Sequence, residues 1–192
     1  GNLSLRDAFF APDKFANEGG IDPVLRGAAK HVCQELDTKI VPALRNFLFG
    51  PPGAGGLDLA SLNIQRGREH GLPDYNSARV ELGLGAKATF ADISSDPDVQ
   101  SALSTAYGGD ISLIDMWVGG LAEDHVAGSQ LGELFHTIVL DQFTRLRDGD
   151  EMWFENRLTA DQIAYVKTVK LGDVIRRNTG IGAEMQDNVM RV

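Results

Sequence analysis

A polar pair on one predicted helix is the part of this sequence best suited to chemistry. Asn63 and Arg66 lie three residues apart in the stretch LNIQRGREHGLPDYNSAR, residues 62–79. Residues at this spacing share a helix face. An amide can accept or donate a hydrogen bond, and a guanidinium can hold a carboxylate through two parallel N–H groups. The alternative interpretation is that both side chains make surface contacts or cap a neighbouring element.

The element that positions this pair is a predicted helix from Asp58 to about His70. Leu59 and Leu62 share the face of the polar pair, and a second face carries small apolar residues, so we expect the helix to be mostly buried. Asp58 stands near the N-terminus, where negative charge is favourable. His70 is predicted to be structural and to end the helix, with Gly71 left-handed just beyond it.

The same stretch resembles the signature of the animal-type haem peroxidases of the peroxidase–cyclooxygenase superfamily, in the branch that includes bacterial members. Glu69 stands where that family has Asp. Further segments resemble the family in family order: SLRDAFFAPDKF, GGIDPVLRGAA, IDMWVGGLAEDH, DQFTRLRDGDEMWFEN and RRNTGI. The resemblance therefore covers nearly the whole chain. The matching signature positions are Leu62, Asn63, Gln65, Arg66, Arg68, His70, Gly71, Pro73, Tyr75 and Asn76.

The resemblance implies haem b as the cofactor and gives roles to four residues. It implies that Asn63 accepts a hydrogen bond from the proximal histidine and that Arg66 pairs with a haem propionate. Leu59 and Leu62 would line the porphyrin as an apolar wall. The family carries its proximal and distal histidines upstream of the segment at which this sequence starts. We therefore expect no catalytic residue and no metal ligand in this chain, which resembles the C-terminal part of a catalytic domain, truncated on its N-terminal side.

Two functions from different classes follow. In the first, the chain is part of a haem peroxidase that uses hydrogen peroxide to oxidise a halide, a phenol or a similar donor. Alone it would be inactive and would bind haem weakly or not at all, and its partner would be the remainder of the domain. In the second, the chain is a non-catalytic helical binding or scaffolding module derived from that fold. Exposed apolar surface would favour self-association, and the family resemblance favours an extracellular or periplasmic location.

Length and composition are typical of one globular unit over residues 1–192, and the sequence pattern predicts a mainly helical fold with little or no strand. The net charge of −9 argues against nucleic acid and anionic membranes as partners. No apolar run approaches the roughly 20 residues that cross a bilayer. The single cysteine, Cys33, excludes an internal disulfide.

The apolar spacing and the cap residues predict a series of helices. Asp22 is a candidate N-cap, and Pro42 should kink a helix or start its second half. The polar tail Ala183–Val192 is expected to be partly strand or disordered, and Gly50–Gly56 is expected to be a loop. The predicted helices are Leu3–Phe10, Pro12–Glu18, Val24–Ala29, Glu35–Phe49, Pro73–Leu82, Phe90–Ile93, Pro97–Tyr107, Ile111–Val118, Ser129–Arg147, Ala160–Val169 and Gly172–Asn178.

Four other groups invite a functional interpretation but favour a structural one. Glu123–His125 could hold a metal, yet adjacent helix-end residues point apart, so we predict a solvated loop. Met116 and Trp117 are expected to pack in the core rather than against a cofactor. Arg26 is predicted to form a salt bridge rather than line a substrate channel. His136 is predicted to be a hydrogen-bonded structural histidine.

Overall fold

A computed structural model describes residues 11, 13–46 and 56–190 of the chain. Over these residues it contains α-helices, one 3₁₀ turn at Ile111–Leu113 and two isolated β-bridges, and no strand. The mainly helical prediction is therefore confirmed. The helices are α1 (Asp13–Asn17), α2 (Asp22–Lys30), α3 (Pro42–Arg45), α4 (Leu59–Glu69), α5 (Tyr75–Glu81), α6 (Phe90–Ile93), α7 (Pro97–Ala106), α8 (Met116–Ala122), α9 (Glu133–Gly149), α10 (Phe154–Arg157), α11 (Ala160–Thr168) and α12 (Leu171–Asn178).

Some predictions concern residues outside the described part. The helix predicted at Leu3–Phe10 lies wholly outside it, as do residues 47–49 and most of the loop predicted at Gly50–Gly56. The described chain divides into two compact units, which we call the central unit (residues 36–145) and the terminal unit (residues 1–35 and 146–192). The proposal that residues 1–192 form a single unit stays a prediction.

Local capping signals explain where many helices begin. The carboxylates of Asp58, Asp74 and Asp96 accept backbone N–H groups at the starts of α4, α5 and α7. Thr89 and Thr159 each form a capping box, at α6 and α11. Such caps satisfy backbone donors that have no partner within the helix. The predicted starts of α5, α6, α7 and α11 therefore lie within two residues of the observed ones.

The core of the central unit joins α5, α6, α7, α8 and α9. Gly119 and Gly120 in α8 allow close packing, because a Cβ atom on either would overlap the ring of Tyr75 or Phe135. The helix predicted over Ile111–Val118 differs from the structure. The chain forms a 3₁₀ turn first, and α8 then runs through the two glycines. The buried residues are Tyr75, Ala78, Ile93, Leu103, Ile114, Ala122 and Leu134.

The terminal unit has a smaller core that includes the C-terminal tail. Met185 and Val189 are buried with Ala29, Ile175 and Ile181. The tail is therefore packed, and no strand forms in it up to residue 190, contrary to the prediction of a partly extended or disordered segment.

Two polar contacts of α2 hold the chain near this core. Arg26 Nη2 lies 3.0 Å from Glu184 Oε1, which confirms the predicted salt bridge. Asp22 is not an N-cap, because it already lies inside α2, and its carboxylate accepts the backbone N–H of Gly180 at 3.1 Å.

The helix predicted over Glu35–Phe49 is wrong in its first half. Only Pro42–Arg45 is helical, and Val41 is extended with ψ 135°. Proline lacks an N–H and disfavours helical backbone at the residue before it, so the helix can only start at Pro42. His125 Nε2 lies 2.8 Å from the backbone oxygen of Leu36 in the non-helical segment.

The long helix α9 begins at Glu133, four residues later than the predicted start at Ser129. Its apolar side chains are only partly buried. Leu134 is fully buried, but Val139 and Phe143 are 40% and 65% exposed. The side chain of His136 lies 3.4 Å from Ser129 Oγ, in agreement with a hydrogen-bonded structural histidine. Among the described residues, no helix is both long and apolar enough to span a membrane.

Candidate functional site

The polar face of α4 opens onto a cavity of about 380 Å³ in the central unit. Asn63, Arg66 and Gly67 of α4 line it, together with His70 at the C-cap. These positions recur at helical spacing, so one face of α4 presents all of them. The volume falls within the range of about 300–1,000 Å³ that is common for small-molecule sites.

The burial of α4 differs from the prediction. No residue of α4 is fully buried; Asn63 is half-buried and Arg66 is exposed. In the part of the chain that the structure describes, neither side chain has a hydrogen-bond partner. The burial predicted for α4 was too high because the apolar spacing of Leu59 and Leu62 does not show how many neighbours surround the helix. The polar face is consequently open to a ligand or another segment.

Leu59 and Leu62 are half-buried on α4 and do not line the cavity. Its apolar lining comes instead from Leu72 and Trp117. Met116 packs against the core, as expected, whereas its neighbour Trp117 borders the cavity. Sequence reasoning missed both lining residues, because each depends on where a turn or a second helix places it. For Leu72, the only indication in the sequence was the proline-containing turn predicted after His70.

A charged cluster fixes α4 against the start of α8. Arg68 Nε and Nη2 each donate to a different oxygen of Asp115 at 2.8 Å, and Tyr107 Oη donates to the same carboxylate at 2.8 Å. The hydrogen bond from Arg68 holds the pKa of Asp115 below its ordinary value. Burial, aided by the hydrogen bond to Asp115, raises the pKa of Tyr107 to about 12. Arg68 and Asp115 therefore form an ion pair that joins the two elements.

A second polar cluster lies inside the central unit. Arg79 is 2% exposed and donates to the carboxylates of Glu123 and Glu133 and to the backbone oxygen of Gly85. Tyr75 Oη also donates to Glu123 Oε1, at 2.6 Å. Burial is the main cause that raises the pKa of Tyr75 well above its ordinary value. Glu123 is 6% exposed, so the prediction of a solvated loop at this residue is wrong.

The two residues that follow Glu123 also have structural contacts. The carboxylate of Asp124 accepts hydrogen bonds from the hydroxyl groups of Ser94 and Ser95 and from the backbone N–H of Ser95. Over residues 11, 13–46 and 56–190, no group of three or more His, Cys, Asp or Glu side chains is arranged to hold a metal ion.

The residues that line the cavity suit an apolar ligand that carries a carboxylate. Arg66 supplies a guanidinium without a protein partner in the described part of the chain, and Asn63 supplies an amide. Trp117 and Leu72 offer apolar surface, and Gly67 leaves room beside Leu72, whose Cδ1 lies 3.5 Å from the position of an added Cβ. Guanidinium–carboxylate pairs are among the strongest hydrogen-bonded contacts that proteins make.

Comparison with known proteins gives one consistent result. A family model described as "Animal haem peroxidase" matches residues 1–190. Peroxinectin A of Dictyostelium discoideum is 43% identical over 98% of this chain, and thyroid peroxidase of Sus scrofa is 41% identical over 94%. The matched segments make up 35% and 20% of those relatives. The chain thus spans about a third or less of the length of the curated relatives it matches.

Solved structures agree with the sequence comparison. Peroxidase A from Dictyostelium discoideum matches with a TM-score of 0.83 and 44% identity, over 92% of this chain and 34% of that one. A fatty acid alpha-dioxygenase from Oryza sativa matches with a TM-score of 0.73 and 26% identity, over 86% of this chain and 29% of that one.

Proposed function

Because the chain belongs to the animal haem peroxidase family, we propose that the open face of α4 forms one wall of a haem site. The observation that carries this proposal is the cavity in which Asn63 and Arg66 stand together without protein partners in the described part of the chain. Haem b combines an apolar ring with two carboxylates, which is the chemistry that this lining favours.

Each residue of the α4 face has a distinct role in this proposal. Arg66 holds a propionate through charge-assisted hydrogen bonds. Asn63 accepts the N–H of a proximal histidine carried by another segment, which fixes the orientation and basicity of that imidazole. Leu59 and Leu62 extend the apolar surface along the helix. None of these groups exchanges protons with a substrate, so they bind and orient only.

When bound, haem supplies the reduction of hydrogen peroxide coupled to oxidation of a halide, a phenol or a similar donor. We place the catalytic histidines outside this chain, in the remainder of a peroxidase domain that serves as its partner. The isolated chain is accordingly inactive and binds haem weakly. An extracellular or periplasmic location goes with this family assignment.

The proposal predicts weak but saturable binding of hemin to the purified chain. A Soret titration should show a single transition, and Arg66→Ala should raise the dissociation constant about 10- to 100-fold through loss of a charge-assisted contact. Asn63→Ala should change the affinity much less than Arg66→Ala does, because the imidazole that Asn63 would orient is carried by a segment outside this chain.

Arg177→Ala is the matched control, since it removes the same charge from an exposed helix position in the terminal unit. Far-UV circular dichroism should show that all variants keep the parent helix content. A Soret shift that never saturates, or one that Arg66→Ala and Arg177→Ala alter equally, would contradict the proposed haem site.

A partner surface on α9 is a second proposal, carried by a different observation. Leu140 and Phe143 are 58% and 65% exposed, and with Val139 they form a contiguous apolar stripe at three- and four-residue spacing. Apolar stripes of this kind mark interaction sites. We propose that the remainder of the peroxidase domain covers the stripe and that in the isolated chain a second copy does.

This surface predicts a concentration-dependent dimer. Size-exclusion chromatography with light scattering should show a rising mean mass between low and high micromolar protein, and Phe143→Glu should keep the chain monomeric. Leu82→Glu is the control, because Leu82 is a leucine outside α9 that is 41% exposed. A parent chain that remains monomeric at the highest concentration would refute self-association through α9.

A further inference from the structure

The C-terminus of α4 places a second polar group beside Arg66. The backbone N–H of His70 donates to the backbone oxygen of Arg66 at 2.9 Å, which holds the two residues one helical turn apart. Both line the same cavity. The side chain of His70 is exposed, and no other described residue forms a hydrogen bond with its ring. The backbone of His70 is therefore held in place, while its imidazole ring can bind a ligand.

The turn after His70 brings Leu72 to the cavity that His70 also lines. Gly71 has φ +70°, a left-handed conformation that glycine adopts without a steric penalty. Leu72 N then donates to Gly67 O at 3.0 Å, and the chain folds back over the end of the helix. Leu72 and His70 consequently line the same cavity.

We propose that His70 is a second carboxylate-binding residue of this site, so that Arg66 and His70 together bind the two carboxylates at one edge of a porphyrin. This inference rests on the proposed function and adds a residue to it. An imidazole has an N–H donor whether it is neutral or charged. Two donors one turn apart favour a ligand with two acceptors on one edge over a monocarboxylate.

The main alternatives are that His70 binds iron directly or only terminates α4. Three probes separate these roles: hemin, iron-free protoporphyrin IX, and the dimethyl ester of protoporphyrin IX. Hemin binding is followed by Soret absorbance and the other two by porphyrin fluorescence. The full 192-residue chain is used throughout, and circular dichroism confirms that each variant is folded.

His70→Ala should weaken hemin and protoporphyrin IX about tenfold each, as expected for one charge-assisted hydrogen bond. His70→Gln, which keeps an N–H donor, should recover part of the affinity. Binding of the dimethyl ester should be the same in the parent and in His70→Ala. His31→Ala is the matched control, because His31 is an exposed histidine of the terminal unit.

Each of the remaining outcomes would refute the role of His70, the haem site or both. If Arg66→Ala weakens the binding of protoporphyrin IX but His70→Ala behaves like His31→Ala, the proposed haem site is supported and the carboxylate-binding role of His70 is refuted. If His70→Ala weakens hemin only, His70 is an iron ligand and the carboxylate role is refuted. If neither porphyrin binds saturably, or if Arg66→Ala has no effect on either, both proposals fail.

Discussion

Arg79→Met should lower the free energy of unfolding by about 3–5 kcal/mol, the range seen when one partner of a buried ion pair is removed. Arg79 is 2% exposed and provides the positive charge opposite Glu123, whose side chain is 3% exposed. Methionine is similar in length but cannot donate. The substitution would leave the Glu123 carboxylate buried with two remaining donors, Tyr75 Oη and Leu134 N.

Urea unfolding followed by far-UV circular dichroism measures this loss. Arg145→Met is the control, because Arg145 pairs with Asp141 on the surface and should give no measurable change. Glu123→Gln tests the same pair from the other side, and the double variant should be less destabilised than the sum of the two single variants. If Arg79→Met does not fold, Arg79→Lys retains the charge and should give an intermediate loss. Unfolding midpoints that match those of Arg145→Met would refute a stabilising role for the buried pair.

The buried cluster also shows what the sequence could not predict. Arg79 and Glu123 are 44 residues apart in the chain, and nothing around either residue marks it as buried. The sequence predicts a solvated loop at Glu123 because adjacent residues at a helix end point apart. Its burial depends on which helices pack around it, and that information is nonlocal.

Helix starts were more predictable because their causes are local. Phe90–Ile93 was placed correctly, and the caps at Asp96 and Thr159 are formed by residues within three positions of the contacts they make. The failure over Glu35–Phe49 has an equally local cause. The apolar periodicity predicts helix on both sides of Pro42, but only the alternative in which a helix starts at Pro42 is observed, because of the missing N–H and the restricted Val41 backbone.

The candidate site was predictable only on the helix that carries its polar groups. Spacing alone puts Asn63 and Arg66 on one face, and the structure brings both to one cavity. Trp117 lines the cavity from α8, so its place there depends on how one helix packs against another. His70 was correctly placed at the end of α4, but its presence in the cavity depends on the turn that follows.

Gly119→Ala should destabilise the chain by roughly 2 kcal/mol, although alanine is the better helix former. A Cβ at this position would overlap Cδ2 of the Tyr75 ring, and Tyr75 is fully buried. Overpacking of this kind costs about 1–3 kcal/mol or more, and the gain in helix propensity of about 1 kcal/mol offsets only part of it. The thermal midpoint should fall by about 4–8 °C for a chain of this size.

Gly27→Ala is the matched control with the opposite expected sign. Gly27 lies inside α2, and no atom of the described residues stands within 4 Å of an added Cβ, so alanine should stabilise by about 0.5–1 kcal/mol. The overlap at Gly119 would also displace a ring whose hydroxyl is bonded to Glu123. Gly119→Ala and Arg79→Met should therefore be non-additive when combined, because both act on the same carboxylate. Stabilisation by Gly119→Ala equal to that of Gly27→Ala would show that α8 and α5 are not packed as closely as the structure places them.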